Sequence, residues 1–240
     1  MLTIENLCFK RDRQVIFHQF NLQLMDHQVT CFLGSSGIGK TTLLKLIAGL
    51  LEPMEGQLPR SSESLGYVFQ EHRLKPNLTV FDNIAWVMKP AIHKERINQL
   101  LKIAGLTHAK NYYPHELSGG MKQRASILRA LVNKPDLILM DEPFQALDSQ
   151  LKKEMLQFIQ TLWSECKPTI LLVTHDLEEA VFLGHRIIVL GNTPAQIIGD
   201  FTRDSYHTFT HDIHLKIEKL LEKEMEDFRG NTELASSDCL

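Results

Sequence analysis

Residues Gly34-Ser35-Ser36-Gly37-Ile38-Gly39-Lys40-Thr41-Thr42 bring glycines, a lysine and hydroxyl side chains into one short stretch. That combination suits phosphate. Glycines permit backbone angles that aim successive N–H groups at phosphate oxygens, and a helix N-terminus adds partial positive charge. Lys40 supplies a point charge for β- and γ-phosphates, and the Thr41 hydroxyl can complete the shell of a Mg²⁺ ion. The flanks agree. Val29-Thr30-Cys31-Phe32-Leu33 reads as a buried strand, and Leu43, Leu44, Ile47, Leu50 and Leu51 recur at helical spacing, so a helix starts at or near Gly39. Strand, glycine loop and helix in that order favour a nucleoside triphosphate site over a structural turn.

Two further stretches carry chemistry. Leu137-Ile138-Leu139-Met140 ends in Asp141-Glu142, which places two carboxylates at the end of a buried strand. Beside a bound triphosphate such an aspartate holds Mg²⁺, and the glutamate can accept a proton from attacking water or orient it. Leu117-Ser118-Gly119-Gly120-Met121-Lys122-Gln123-Arg124 is a serine and two glycines opening a helix, again suited to an anion. One chain does not need two phosphate loops for one nucleotide. Either a second ligand binds there, or this loop serves a nucleotide held by another subunit.

The elements that must position these groups follow from hydrophobic period. Leu2 to Phe9 alternates like an edge strand, and Val15 to Leu24 alternates as well. Gly49 to Pro59 reads as a turn-rich connection. Gly66-Tyr67-Val68-Phe69 is a short strand ending at Gln70. From Glu71 to about Met121 helical patterns dominate (Val80 to Met88, Lys94 to Ile103), as in a helical subdomain inserted into an α/β core. Strands return at Leu137 to Met140, Ile170 to Val173 and Ile187 to Leu190, with helices between them, the alternation of a largely parallel sheet. Ile213, Leu215, Ile217, Leu220, Leu221, Met225 and Phe228 form a helical stripe, and Arg229 to Leu240 is polar enough to fray.

Composition limits the function classes. The chain has 240 residues, 43% hydrophobic and 23% charged, with a formal charge of −3, so no general nucleic-acid binder is expected. Cys8, Cys31, Cys166 and Cys239 are dispersed and fit reduced thiols better than a disulfide or zinc framework. No apolar run approaches the roughly 18 residues of a membrane span, and Met1 leads directly into strand-like sequence. The expectation is a soluble, cytoplasmic chain whose membrane role comes through a partner. His207, His211 and His214 have helical spacing, but no further ligand accompanies them, so a solvated segment is the preferred reading over a metal site.

Taken together, the motifs resemble those of the ATP-binding subunit of ABC transporters. Gly34 to Thr42 is similar to a Walker A loop, Gln70 to a Q-loop and Leu117 to Arg124 to the ABC signature. Asp136 to Glu142 resembles a Walker B strand, Ala146-Leu147-Asp148 a D-loop and Thr174-His175-Asp176 an H-switch. The resemblance implies an α/β fold, a P-loop NTPase (RecA-like) parallel-sheet core with an antiparallel β edge and an inserted α-helical subdomain. The core would span about 1–70 and 125–200, the subdomain about 71–124 and a C-terminal helical tail about 201–240.

The resemblance also assigns roles. Two copies would dimerise head to tail around two ATP molecules with Mg²⁺, which resolves the puzzle of two loops. Ser118, Gly119 and Gly120 of one copy would meet the γ-phosphate on Lys40 of the other. Catalysis would rest on Glu142, His175, Gln70 and Lys40, and the metal on Thr41, Gln70 and Asp141. Asp148 would contact the opposing copy. Arg11 stands where an adenine-stacking aromatic is usual, with Phe9 near it, and His27 stands where a glycine usually precedes the loop.

Val68-Phe69-Gln70-Glu71-His72-Arg73-Leu74-Lys75-Pro76-Asn77-Leu78-Thr79-Val80-Phe81-Asp82-Asn83 resembles, more narrowly, importers of nitrate, sulfonates, taurine and thiamine-precursor pyrimidines. That implies an integral-membrane permease received by residues 71–90, an external solute-binding protein, and a peripheral position on the inner face of the cell membrane. An exporter ATPase and a soluble ABC-type ATPase acting on nucleic acid are the alternatives. The second would call for a coiled-coil insertion, tandem domains or a basic face. The acidic Glu218, Glu222, Glu224, Glu226 and Asp227 argue that the C-terminal stripe packs on protein rather than on anionic lipid.

Overall fold

The computed structural model describes residues 2–58, 65–90, 92–145, 147–203 and 209–237, with side chains omitted at 225 and 227–237. In chain order the strands and helices are β1 (Leu2–Arg11), β2 (Gln14–Leu24), β3 (Val29–Leu33), α1 (Lys40–Ile47), β4 (Glu55–Gln57), β5 (Leu65–Val68), α2 (Val80–Ala85) and α3 (Glu95–Ile103). They continue with α4 (Gly119–Leu131), β6 (Leu137–Asp141), α5 (Ser149–Cys166), β7 (Thr169–Val173), α6 (Leu177–Leu183), β8 (Arg186–Gly191), β9 (Gln196–Thr202) and α7 (His211–Ser237). Two compact units result: Met1–Arg60 with Leu171–Leu240, and Ser61–Ile170.

The first unit contains an antiparallel sheet in the order β2-β1-β4 and a run of strands β7-β3-β8-β9. β3 pairs in parallel with β8, Leu33 opposite Val189, and β8 pairs antiparallel with β9. Every residue of β3 is buried, as expected of a parallel strand covered on both faces. β1 is not an edge strand. Cys8 and Glu55, and Glu5 and Gln57, pair on the side away from β2. β4 escapes sequence reading because it is three exposed residues without apolar alternation, inside the segment read as a turn-rich connection. Pro59 of that segment lies outside the described residues. β9 likewise shows no strict alternation, and its residues are intermediate or exposed.

α1 stops short of the predicted stripe. Gly49 adopts φ +68° just past the helix, a left-handed C-terminal stop, and leaves Leu50 57% exposed. α7 packs on β8, β9 and α6, and its Ile217 is buried, so that part of the stripe faces the core, while Leu215 is exposed. The helix continues to Ser237, beyond the point at which polarity predicts fraying. The side chains of Met225 and Phe228 lie outside the described residues.

In the second unit β5 and β6 pair in parallel, Val68 opposite Met140. α4 packs against α2, α3, α5 and β5. Between Glu71 and Asp136 the described residues contain helices and turns but no strand, in line with the helical character read from the sequence. α2 begins at a Thr79 cap whose hydroxyl accepts the Asp82 N–H at 3.1 Å. Thr169 N–H donates to the Asp136 carbonyl at 3.2 Å, closing the stretch before β6.

Gly66 on β5 allows α4 to approach closely, because a Cβ there would lie 2.6 Å from the Ala130 carbonyl oxygen and 3.2 Å from Pro135. Gly66→Val is expected to overpack this contact at a cost of about 1–3 kcal/mol. Thermal unfolding read by circular dichroism should show the midpoint falling by several degrees, on the order of 2–4 °C per kcal/mol for a chain of this size.

Candidate functional site

In the first unit the phosphate loop runs from the end of β3 to α1. Gly34 and Gly39 are required for different reasons. A Cβ on Gly34 would lie 2.5 Å from the Leu190 carbonyl oxygen, so the chain leaves β3 with no space for a side chain. Gly39 has φ +111°, and its Cβ would strike Ile16 at 2.7 Å and Phe17 at 3.1 Å. The β1–β2 hairpin therefore presses directly on the loop. Lys40 is buried, and its Nζ donates to the carbonyls of Gly34 at 2.7 Å and Ser35 at 2.8 Å. The loop's own oxygens thus hold the ammonium in place. Ile38 N–H donates to the Ser35 carbonyl at 3.4 Å. Ser36 and Gly37 are exposed, Thr41 is half-buried and Thr42 is buried.

His27, standing in for a glycine, takes φ +58°. The left-handed turn that glycine favours is therefore formed with a side chain present. Arg11 is exposed at the end of the β1–β2 hairpin, paired with Gln14, and Phe9 faces Phe17 across it.

His175 follows β7 and is exposed. Its turn is anchored from beneath. The Thr174 hydroxyl donates to Glu179 Oε2 at 2.5 Å in a buried contact and accepts the Asp176 N–H at 3.0 Å. Asp176 in turn caps α6, accepting from Glu178 N–H at 2.9 Å and Glu179 N–H at 3.3 Å. Burial pushes the Cys31 thiol well above its usual range, and the Glu179 charge adds to the shift, so Cys31 is an inert core thiol. Cys8, Cys31 and Cys166 are free, and Cys239 lies outside the described residues.

In the second unit Asp141 closes β6, buried, with its Oδ2 accepting from the Tyr67 hydroxyl at 3.4 Å. Burial, and next the Asp141 carboxylate, push the Tyr67 phenol above its usual range, so it stays protonated and donates. Glu142 follows with φ +44°. A left-handed non-glycine residue at a strand end is a strained position of the kind that collects at functional sites. Gln70 Nε2 donates to Gln145 Oε1, so the residue after β5 is joined to the loop after β6. No motif or spacing in the sequence marks Gln145.

Ser118 caps α4, its hydroxyl accepting the Met121 N–H at 3.3 Å, with Gly119 and Gly120 as the first helical residues. Asp148 caps α5 through the Leu151 N–H at 2.9 Å. Ala146 lies outside the described residues. Behind Gln70, His72 Nδ1 donates to Gln123 Oε1 at 2.5 Å, and Arg129 donates to the carbonyls of Arg73 at 2.6 Å and His72 at 3.1 Å. These contacts tie the segment after β5 to α4.

Asn83 is buried and organises the next loop. It accepts the Lys75 N–H at 2.7 Å, and its amide points at the carbonyls of Lys75, Leu78 and Thr79. Lys75 Nζ lies 3.6 Å above the Trp86 ring, which is 62% exposed. His207 lies outside the described residues. His214 sits 3.5 Å from Glu218, and no cluster of three or more His, Cys, Asp or Glu among the described residues could hold a metal. No helix among them is long and apolar enough to cross a membrane.

A glycine loop with a buried lysine in one unit, and a strand-end carboxylate pair with a serine-capped glycine helix in the other, define a P-loop ATPase. The family model described as "ABC transporter" matches residues 17–145. The chain belongs to the ABC transporter family. It is 40% identical over 192 residues to an aliphatic sulfonates import ATP-binding protein of Bacillus licheniformis, covering 76% of this chain and 75% of that one. It is 40% identical over 205 residues to a nitrate import ATP-binding protein of Synechocystis, covering 80% and 77%.

Among solved structures, the ATP-binding cassette MJ0796, dimeric and bound to ADP and Pi, superposes with a TM-score of 0.71 at 29% identity over 86% of this chain and all of that one. The cbiO1 subunit of a Clostridium perfringens ABC transporter complex gives 0.75 at 25% identity, covering 84% and 88%. The α/β P-loop NTPase class expected from the sequence therefore holds, and the chain is an ATP-binding, ATP-hydrolysing subunit of the importer kind.

Thr174→Val removes a hydroxyl that donates to Oε2 of buried Glu179. The expected loss is about 1.5–3 kcal/mol, the usual range for a hydrogen bond to a charged group. Chemical denaturation with a full baseline should show a lower midpoint at unchanged slope.

Proposed function

We propose that this chain hydrolyses ATP to drive uptake of a small solute of the nitrate, sulfonate, taurine or thiamine-precursor type. The observation that carries the reading is the exposed, internally braced surface around Trp86, within residues 71–90 and just after the Val68–Asn83 stretch that resembles such importers. It is supported by the sulfonate and nitrate import names of the relatives. A large aromatic left in solvent beside a rigid loop is a natural docking point. In this reading residues 71–90 receive an integral-membrane permease, which places the chain on the inner face of the cell membrane, and an external solute-binding protein delivers the solute. Two copies associate head to tail, each presenting Ser118, Gly119 and Gly120 to the nucleotide on Lys40 of the other. Asp148 faces the opposing copy. Dimeric solved relatives support that arrangement.

The side chains divide the chemistry. In the Gly34–Thr42 loop the N–H groups beyond Ser35 and the Lys40 ammonium bind the phosphates, and Glu142 takes a proton from the attacking water. Gln70 orients that water, His175 contacts the γ-phosphate, and Arg11 or Phe9 lies against adenine. Thr41, Gln70 and Asp141 offer only oxygen donors, which suits Mg²⁺ arriving with the nucleotide. Bound there, Mg²⁺ neutralises developing charge on the phosphate oxygens. The stabilisation comes mainly from positioning and electrostatics.

Glu142→Gln should keep ATP binding while turnover falls on the order of 10²–10⁴-fold, the usual contribution of a general base. Phosphate release at the wild-type rate would overturn that role. The same tagged variant, drawn from native membranes with ATP, should bring a polytopic permease with it, and Trp86→Ala should release it. Recovery of soluble nucleoprotein instead would remove the transport reading and leave the ATPase standing.

A further inference from the structure

By sequence Glu224 is one of a run of acids in α7, with Glu218, Glu222, Glu226 and Asp227. The structure buries it. It is 5% exposed, and both carboxylate oxygens are taken by one residue of the phosphate loop. Oε1 accepts from the Ser35 hydroxyl at 2.5 Å, and Oε2 accepts from the Ser35 N–H at 3.1 Å. The Ser35 carbonyl accepts from Lys40 Nζ at 2.8 Å. Ser35 is thus gripped on one side by the C-terminal helix and on the other by the loop's lysine. Room for this comes from Gly191 at the end of β8, where a Cβ would lie 3.0 Å from Glu224 Cγ. One turn earlier Leu220 reaches Gly199 of β9, 2.8 Å from where a Cβ would stand.

A carboxylate is costly to bury unless charge-assisted hydrogen bonds satisfy it, so this contact fixes two things at once. It fixes the depth at which α7 docks, and it fixes which way the second residue of the loop, Ser35, turns. We propose that Glu224 is a positioning residue for nucleotide binding: it holds Ser35 toward α7, so that the loop's later N–H groups are presented to phosphate. The corollary is reciprocal coupling. If docking of α7 favours the nucleotide-receiving loop, bound nucleotide must favour docking of α7 by the same factor. The C-terminal helix is then a point from which nucleotide affinity can be set. This inference rests on the assignment of Gly34–Thr42 as the ATP site.

The test uses the full chain as wild type, Glu224→Ala, Glu224→Gln and Ser35→Ala, with Glu218→Ala as a surface control on the same helix. MgATP affinity is measured by calorimetry, and amide hydrogen exchange is followed over residues 33–41 and 211–226. Glu224→Ala should weaken MgATP binding about tenfold, or about 1.4 kcal/mol, and should speed exchange in the loop before any nucleotide is added. Glu224→Gln keeps an acceptor and should recover part of both effects. Ser35→Ala, which keeps the backbone contact, should fall between wild type and Glu224→Ala, and Glu218→Ala should match wild type. MgATP should slow exchange of 211–226 in wild type but not in Glu224→Ala.

Wild-type affinity and wild-type loop exchange in Glu224→Ala would overturn the proposal. So would faster exchange spread evenly over the whole first unit, which marks a merely structural role. If Glu224→Ala does not fold, Glu224→Gln and Ser35→Ala carry the same comparison. Failure of wild type to bind MgATP would remove the ATP-site assignment, while exchange at Ser35 would still decide whether Glu224 sets the loop.

Discussion

The parallel pairing of β3 with β8 is the constraint on which the first unit depends. It brings the end of β8 so close to the start of the phosphate loop that Gly34 faces the Leu190 carbonyl oxygen with no room for a Cβ. From that point the loop has little freedom. Gly39 is pressed by Ile16 and Phe17 of the hairpin, and Lys40 is folded back onto the carbonyls of Gly34 and Ser35. Pre-organisation of this kind matters for phosphate chemistry, because donors already in place need not be reorganised when charge arrives. The hairpin, which carries no phosphate-binding residue, thereby acts on the loop as a wall.

The second unit solves a similar problem with polar side chains in place of glycines. Tyr67 holds Asp141, Gln70 holds Gln145, and the His72–Gln123 contact with the two Arg129 bonds ties the segment beyond Gln70 to α4. Networks of this sort are strong when satisfied, since the low local dielectric strengthens each bond. They also connect positions that the proposed mechanism uses for different purposes. Gln70 is the residue proposed to orient water, α4 begins at Ser118, and the loop that follows Arg73 leads to Trp86. A shift at any of these is transmitted through packed polar contacts rather than through flexible chain.

What the sequence made legible was local and periodic. β3, β6 and β7 are fully buried apolar runs, α1 starts one residue after Gly39, and Ser118 is a helix cap as its residue type suggests. The carboxylate pair Asp141-Glu142 is visible because it follows such a run. Sequence reasoning missed what depends on tertiary partners. β4 has no apolar alternation and forms only because β1 offers a free side, which turns β1 from an edge into the centre of its sheet. Leu50 has the right spacing for α1, yet Gly49 ends the helix before it. Glu224 sits among acids that look solvated, and nothing short of the fold distinguishes it from Glu222.

Two buried glutamates of the first unit show a common device. Glu179 lies under Thr174 and Glu224 under Ser35, each through a 2.5 Å contact from a hydroxyl. Each hydroxyl belongs to a loop that leaves a strand, and each loop carries a side chain that the proposed mechanism uses, His175 in the first case and Lys40 in the second. An apolar anchor could fill the same volume, but it would not select one direction for the loop, because dispersion contacts are not directional. A carboxylate does select one, since it is tolerated in the interior only when its donors point at it. The anchors come from helices α6 and α7, so the orientation of both loops is written into how those helices pack. Helix packing therefore bears on the loops at Thr174 and Ser35 through two hydrogen-bonded carboxylates.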